Sequence, residues 1–360
     1  MLSVKEGVVV PTPDTPNSWA IGHKAWITIL AAFVARLVDS SRTTAFVVVV
    51  AVTTRNALFT AALAILSIVP TIILGPWVGV LIDRYRPSTI ISFSLGVQAV
   101  VAAELAYCWL DEYKQIWVLL FAALILGSTR AFTDNSLNVL LPFVTVSDKM
   151  PSPETASRTR LRDGFVWIAH NPSIRGLLIV VTASNVAYGM LSAVIALFAM
   201  ETMHVDARLF GLLTSTLALA GLAGSGLITA IGTVRLRRLL WVSLGLQALG
   251  FTLLATTWSI ASLFVFYGLI GLASGMWNVV SSTVLMQSIP KDVMGRVMAT
   301  YRSIAFLGSP VGSGVGGPLG DVNLRFPLIA ASAVTLLSLL VFARTPDATA
   351  ARDTIESIGY

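Results

Sequence analysis

The sequence predicts an all-α membrane protein, a polytopic helical bundle of about ten transmembrane helices, and three observations predict it. Ten stretches are apolar and long enough to cross a bilayer: 27–52, 57–82, 89–110, 115–142, 174–200, 208–231, 239–257, 259–287, 298–320 and 325–344. A spanning helix needs roughly 20 mostly apolar residues to match a hydrocarbon core about 30 Å thick. The composition agrees. Of 360 residues, 56% are apolar and 12% charged, with a mean hydropathy of +0.82, where a soluble domain carries about 25% charged residues. The third observation is the placement of the basic residues between those stretches.

An N-terminal tail (1–26) carries Pro11, Pro13, Asp14 and Pro16 ahead of the first apolar run, and no small-residue cleavage site follows a short apolar core. The first span therefore reads as permanent, not as a leader. A first apolar segment (27–142), a polar central loop (143–173), a second apolar segment (174–344) and a C-terminal tail (345–360) complete the chain. Within the loop, Leu161, Phe165 and Ile168 recur at helical spacing among Arg158, Arg160, Arg162 and Asp163. That pattern fits an amphipathic helix on the membrane interface or, equally, a solvated connector.

With the N-terminus in the cytoplasm, alternating crossings put 16 of the 24 Lys and Arg residues on the cytoplasmic side and only Arg55, Lys114, Arg208 and Arg325 outside; the other four fall within spans. This asymmetry follows the positive-inside rule, so both termini are expected in the cytoplasm and the protein in the cell (plasma) membrane. The net charge of +6 is spread over short loops, so it reads as topology and not as a nucleic-acid surface. The single cysteine, Cys108, excludes an internal disulfide and a Cys-based metal cluster, and His23, His170 and His204 are far apart. No cofactor and no metal is expected.

The second and third spans are joined by Gly79-Val80-Leu81-Ile82-Asp83-Arg84-Tyr85-Arg86-Pro87-Ser88. A Gly, a Leu and then Asp-Arg at a short cytoplasmic turn resembles the signature loop of the major facilitator superfamily, G-x-L-x-D-R-x-G-R-R/K. Arg86, Pro87 and Ser88 depart from the usual Gly and basic pair. Gly75-Pro76, Leu141-Pro142, the run Pro290-Lys291-Asp292-Val293-Met294-Gly295-Arg296-Val297 and Gly308-Ser309-Pro310 resemble the efflux branch, which includes macrolide and siderophore exporters. The resemblance covers about 26–345. It implies a gate at Gly79, Asp83 and Arg84, with Asp83 pairing with Arg or capping a neighbouring helix N-terminus.

Members normally have twelve spans in two six-helix halves. Here Leu141-Pro142-Phe143-Val144 passes through Asp148-Lys149 straight to Arg160-Leu161-Arg162-Asp163-Gly164-Phe165, which resembles the end of the family's central loop. The simplest interpretation is that the equivalents of spans five and six are absent, giving a 4 + 6 arrangement. Such a chain is either a compact carrier, rebuilt by homo-oligomer formation, or a truncated, non-transporting relative with a structural or regulatory role.

Ionisable groups inside a bilayer cost roughly 2.5–3.5 kcal/mol on insertion scales, so they face a cavity or a partner. Span one carries Arg36, Asp39 and Arg42 on one face, span four carries Arg130 and Asp134 at i,i+4, and span three holds Glu104. In the resembled fold spans one and four line the central cavity. That makes Asp39, Arg130 and Asp134 candidates for proton handling, while the alternative is self-neutralising pairs that tie the two helices together. Asn185, Tyr188 and Ser192 fall on one face of the fifth span, and Trp277, Asn278 and Ser281 lie in the eighth. Aromatic and amide groups suit an amphipathic substrate, or serve only to hydrogen-bond across helices.

Gly308, Gly312, Gly316 and Gly320 recur every four residues, as do Gly271 and Gly275, a spacing that lets helix backbones approach closely. Gly312-Ser313-Gly314-Val315-Gly316-Gly317 imitates a dinucleotide fingerprint, but no strand precedes it and the segment is of membrane length, so no nucleotide site is expected. No Walker-type motif occurs, which argues against ATP-driven pumping, and no cluster of His, Cys and carboxylates gathers at one depth as an enzyme would need. The expectation is a proton-coupled secondary transporter exporting small amphipathic molecules, with the lipid bilayer, a small-molecule substrate and protons as its partners.

Overall fold

The computed structural model of the chain describes residues 45–84, 87–110, 116–145, 161–231, 236–290 and 293–345. Every regular element among them is helical. After α1 (Ala45–Thr54) come α2 (Ala57–Arg84), α3 (Pro87–Leu110), α4 (Ile116–Thr145), α5 (Leu161–His170) and α6 (Pro172–Leu197), which ends in a π-helical turn, Phe198–Thr202. Then follow α7 (Ala207–Ile231), α8 (Leu236–Ala255), α9 (Ile260–Ser288), α10 (Met294–Val322) and α11 (Phe326–Ala343). Seven of these, α2, α4, α6, α7, α8, α9 and α11, are long and apolar enough to cross a membrane. The span expected at 89–110 falls on α3, whose apolar run is the shorter Thr89–Glu104. The one expected at 298–320 falls on α10, where glycines and two internal prolines, Pro310 and Pro318, dilute the hydropathy.

Local chemistry sets the boundaries. Pro172 occupies the first turn of α6 and Pro327 that of α11, positions whose N–H would lack a helical partner anyway. Ser259 and Ser262 form a reciprocal capping box on α9. Arg55, at φ 46°, supplies the left-handed turn that lets α1 reverse into α2 over two residues. The expected loop at 79–88 is shorter than its sequence suggests. Gly79, Asp83 and Arg84 belong to α2, which runs on past Pro70, Gly75 and Pro76 to Arg84, and Pro87 opens α3. The amphipathic pattern at 158–170 yields α5, with Ile168 buried and Phe165 exposed.

The helices pack in two groups. α2 packs against α4, and α4 against α3. In the second group α6 lies between α10 and α11, α8 packs on α9 and α11, and α7 packs along α9. The glycine repeats make two of these seams: a Cβ at Gly312 would run into the Val186 carbonyl of α6, and one at Gly271 into the Leu217 carbonyl of α7. The groups meet where α2 lies on α10 and α6. One apolar cluster joins Ala51, Ala57 and Ala61 of the first group to Val194, Phe198 and Leu328 of the second. At the opposite end of the second group a separate cluster holds Ile168, Leu177, Leu244, Trp277 and Tyr301.

Candidate functional site

The seam between the groups is built from the first turns of α2 and the last turns of α10. A helix leaves its first four N–H groups without helical partners. Asn56 Oδ1 accepts from Leu58 N at 2.8 Å and Phe59 N at 3.3 Å, and its carbonyl accepts from Thr60 N at 3.4 Å. Ala57 N, which the Asn56 side chain does not cap, donates to Asp321 Oδ1 of α10 at 2.9 Å. The backbones close on each other here. A Cβ at Gly317 would lie 2.7 Å from Ala61 Cβ, and one at Gly320 2.7 Å from Ala57 Cβ.

Away from Asp321 this cover is lost. Ser303, Phe306, Pro310, Gly314, Gly317 and Asp321 share one face of α10, at steps of three and four. A Cβ at Gly314 would still meet Ile65 of α2 at 3.8 Å, but Phe306 is 53% exposed and Ser303 is exposed. On α2, Ala57 and Ala61 are buried, while Ile68 and Ile72, further along the same stripe, are half-buried. The seam is sealed at the Asp321 end and parts towards the end that carries α5.

Within the second group a polar layer crosses α6, α8 and α9. Tyr188 donates its hydroxyl to the Ile270 carbonyl at 3.2 Å and meets Phe251 edge-on at 5.7 Å. The polar side chains of Ser274 and Gln247 lie near its hydroxyl. Gln247 is buried and accepts from Ser184 Oγ at 3.4 Å. Asn278 is exposed and donates Nδ2 to Ser274 Oγ at 3.4 Å and to the Ser274 carbonyl at 2.9 Å. The layer thus runs from a buried amide to an accessible one through a phenol and a hydroxyl, all uncharged.

The residues singled out from sequence divide accordingly. Arg36 and Asp39 lie outside the described residues, and so do the side chains of Asp134, Gly79, Asp83 and Arg84, although all four have helical backbones. Arg130 is half-buried on α4. Asn185, Tyr188 and Ser192 do not share one partner. Asn185 stands under Gly308, and Ser192 faces Ser313 at 3.3 Å, both against α10, whereas Tyr188 turns to α8 and α9. The three span eight residues, and the middle one is rotated off the line of the other two. Trp277, only 6% exposed, packs in the apolar cluster and away from its neighbour Asn278.

Gln247, Ser274 and Asp321 escaped the sequence reading. Gln247 had a usable signal, an amide in an otherwise apolar span. Asp321 had a subtler one: an acid in the last turn of a helix opposes that helix's own dipole. Among the described residues no group of three His, Cys, Asp or Glu side chains could hold a metal.

The Major Facilitator Superfamily profile matches residues 177–357, half of the chain. An uncharacterized MFS-type transporter, y4rN, of Sinorhizobium fredii (strain NBRC 101917 / NGR234) is 25% identical over 214 residues, which cover 56% of this chain and 51% of that protein. The chain thus spans about half the length of that relative. Among solved structures, the nucleoside transporter NupG superposes with a TM-score of 0.63 at 10% identity, covering 85% of this chain and 95% of that one. A bacterial homologue of the human lysosomal transporter Spinster, inward-facing and occupied, gives 0.60 at 12% identity over 90% and 97%. At such identities the likeness is one of fold. Taken with the profile match and the two helix groups meeting on a single seam, it leads to one assignment: the chain belongs to the Major Facilitator Superfamily.

Proposed function

We propose that this chain is a secondary active transporter that exports small amphipathic molecules by alternating access, coupled to protons. The observation that carries this reading is the α2–α10 seam, closed around Asp321 and uncovered around Phe306. A carrier needs two groups of helices that seal one end at a time. The parted end is the one with α5 and most of the basic residues, so the positive-inside rule assigns it to the cytoplasm, with both termini, in the plasma membrane. An exported molecule would enter there.

In this reading a four-helix half (27–142) rocks against a six-helix half (174–344), and Gly79, Asp83 and Arg84 latch the cytoplasmic end when it closes. Asp39 is the proton-coupling group, supported by Arg36, Arg130 and Asp134. Tyr188 and Asn278 present hydrogen-bonding groups to the substrate, with Asn185 and Trp277 behind them. The proton-motive force is sufficient, since each charge crossing 100 mV releases about 2.3 kcal/mol.

Cells expressing the chain should expel an amphipathic dye, and collapse of the proton gradient should stop the expulsion. Asp39→Asn at equal expression should abolish the gradient dependence; unchanged transport by that variant removes Asp39 from the mechanism. A second reading is a truncated or non-transporting relative with a structural or regulatory membrane role, which the expectation of only four spans ahead of the central loop favours. Dye expulsion from vesicles holding the purified chain separates the two.

A further inference from the structure

We propose that Asp321 is an outer latch, a positioning residue that holds the closed end of the seam by capping a helix of the opposite group. Four observations converge on it. Ala57 N donates to Asp321 Oδ1 at 2.9 Å across 264 positions of sequence. Asn56 caps Leu58 N and Phe59 N with its own side chain, so the carboxylate supplies the bond that Ala57 N lacks within its own group, and only while the groups are together. Asp321 is the penultimate residue of α10, where a negative charge is disfavoured by its own helix and favoured by the N-terminus of α2. Its chemistry therefore serves the opposite group.

The fourth observation is the absence of competition. Arg325, four residues on, directs its guanidinium to the carbonyls of Ala255 at 2.7 Å and Thr257 at 2.8 Å. Asp321 faces the α2 end, beside Gly317 and Gly320, where the two backbones are closest. Asp321 is itself exposed while Ala57 is buried, so opening this end would break the bond and leave the Ala57 N–H to water, and the latch biases the resting protein towards the closed outer state. A hydrogen bond to a charged acceptor at a helix end is worth enough to shift such an equilibrium about fivefold.

This deepens the transport reading but is tested without transport. In a Cys108→Ser background, Ile65→Cys sits below the latch, where the Ile65 Cδ1 of the parent lies 3.8 Å from the position a Cβ on Gly314 would take. Sealed vesicles of both orientations are exposed to a membrane-impermeant maleimide. Asp321→Ala should raise the labelling rate from the Asp321 side about fivefold. Asp321→Asn, which keeps an acceptor oxygen, should return it to within about twofold of the parent. An unchanged rate in Asp321→Ala from both sides overturns the latch, and so does an Asn variant that labels like the Ala one. The label reads conformation alone, so the latch can fail while dye expulsion stands, or stand while expulsion fails.

Discussion

Arg325 lays its guanidinium 3.9 Å over the Trp258 ring while donating to the carbonyls of Ala255, the last residue of α8, and of Thr257 in the turn after it. The same group reaches Phe198 in the π-helical turn at 5.4 Å. A cation at a helix C-terminus is favoured by the dipole, and its fork satisfies carbonyls that the helix leaves open. One side chain thus ties α8, α11 and the end of α6 together. Arg325→Ala should cost about 2 kcal/mol and lower the Tm in detergent, with Arg325→Lys falling between. An unaltered Tm in Arg325→Ala would mean that water replaces these contacts without loss.

Glycine matters at one place on these helices and not at another. A Cβ at Gly312 collides with the Val186 carbonyl, a backbone atom that cannot swing aside, whereas one at Gly211 meets nothing within 4 Å. Gly312→Leu should therefore cost about 3 kcal/mol through forced separation of α6 and α10. Gly211→Ala should gain about 0.5–1 kcal/mol by removing backbone freedom from the unfolded chain. Thermal unfolding in one detergent compares them directly.

How far the sequence reaches is visible in these cases. The apolar runs at 57–82 and 259–287 reappear as α2 and α9 because hydropathy and length alone specify a spanning helix. The spacing of Leu161, Phe165 and Ile168 reappears as α5 for the same kind of local reason. What local pattern does not encode is the partner of each face. Asn185 and Tyr188 are three residues apart, yet one supports Gly308 of α10 and the other bonds to Ile270 of α9. Asp321 lies at a helix end, two residues before Asn323, where an acid looks like ordinary loop chemistry until Ala57 is seen beside it. The Asp83-Arg84 pair reads as a loop because its charges are conspicuous, while its backbone is still helical through Arg84.

Trp277 and Asn278 are adjacent and should behave oppositely. Trp277 is packed among Leu177, Leu244 and Val280 in the apolar cluster, so Trp277→Ala should remove about 3 kcal/mol or more and depress the Tm. Asn278 is exposed, with its amide held by Ser274. Asn278→Ala should leave the Tm within about a degree, since surface changes are small, while raising the KM for a transported dye. A fall in Tm equal to that of Trp277→Ala would assign Asn278 to packing instead.

Gly317 offers the most direct manipulation of the seam. It has Ala61 Cβ 2.7 Å and Leu58 Cα 3.3 Å from the position a Cβ would take, and both neighbours belong to the opposite group of helices. A large side chain there does not disturb the packing of α10 on α6, because Gly308, Gly312 and Gly316 occupy that face. Gly317→Leu should consequently leave each group folded and the Tm little changed, yet prevent the Asp321 end from closing. In the maleimide assay with Ile65→Cys, labelling from that side should be fast whether residue 321 is Asp or Ala, since a wedge that keeps α2 away from α10 makes the latch irrelevant. Dye expulsion should stop as well, because a carrier held open at one end cannot complete its cycle. Slow labelling in Gly317→Leu would mean that α2 bends around the added side chain, and that the close approach at Gly317 is not what seals the outer end.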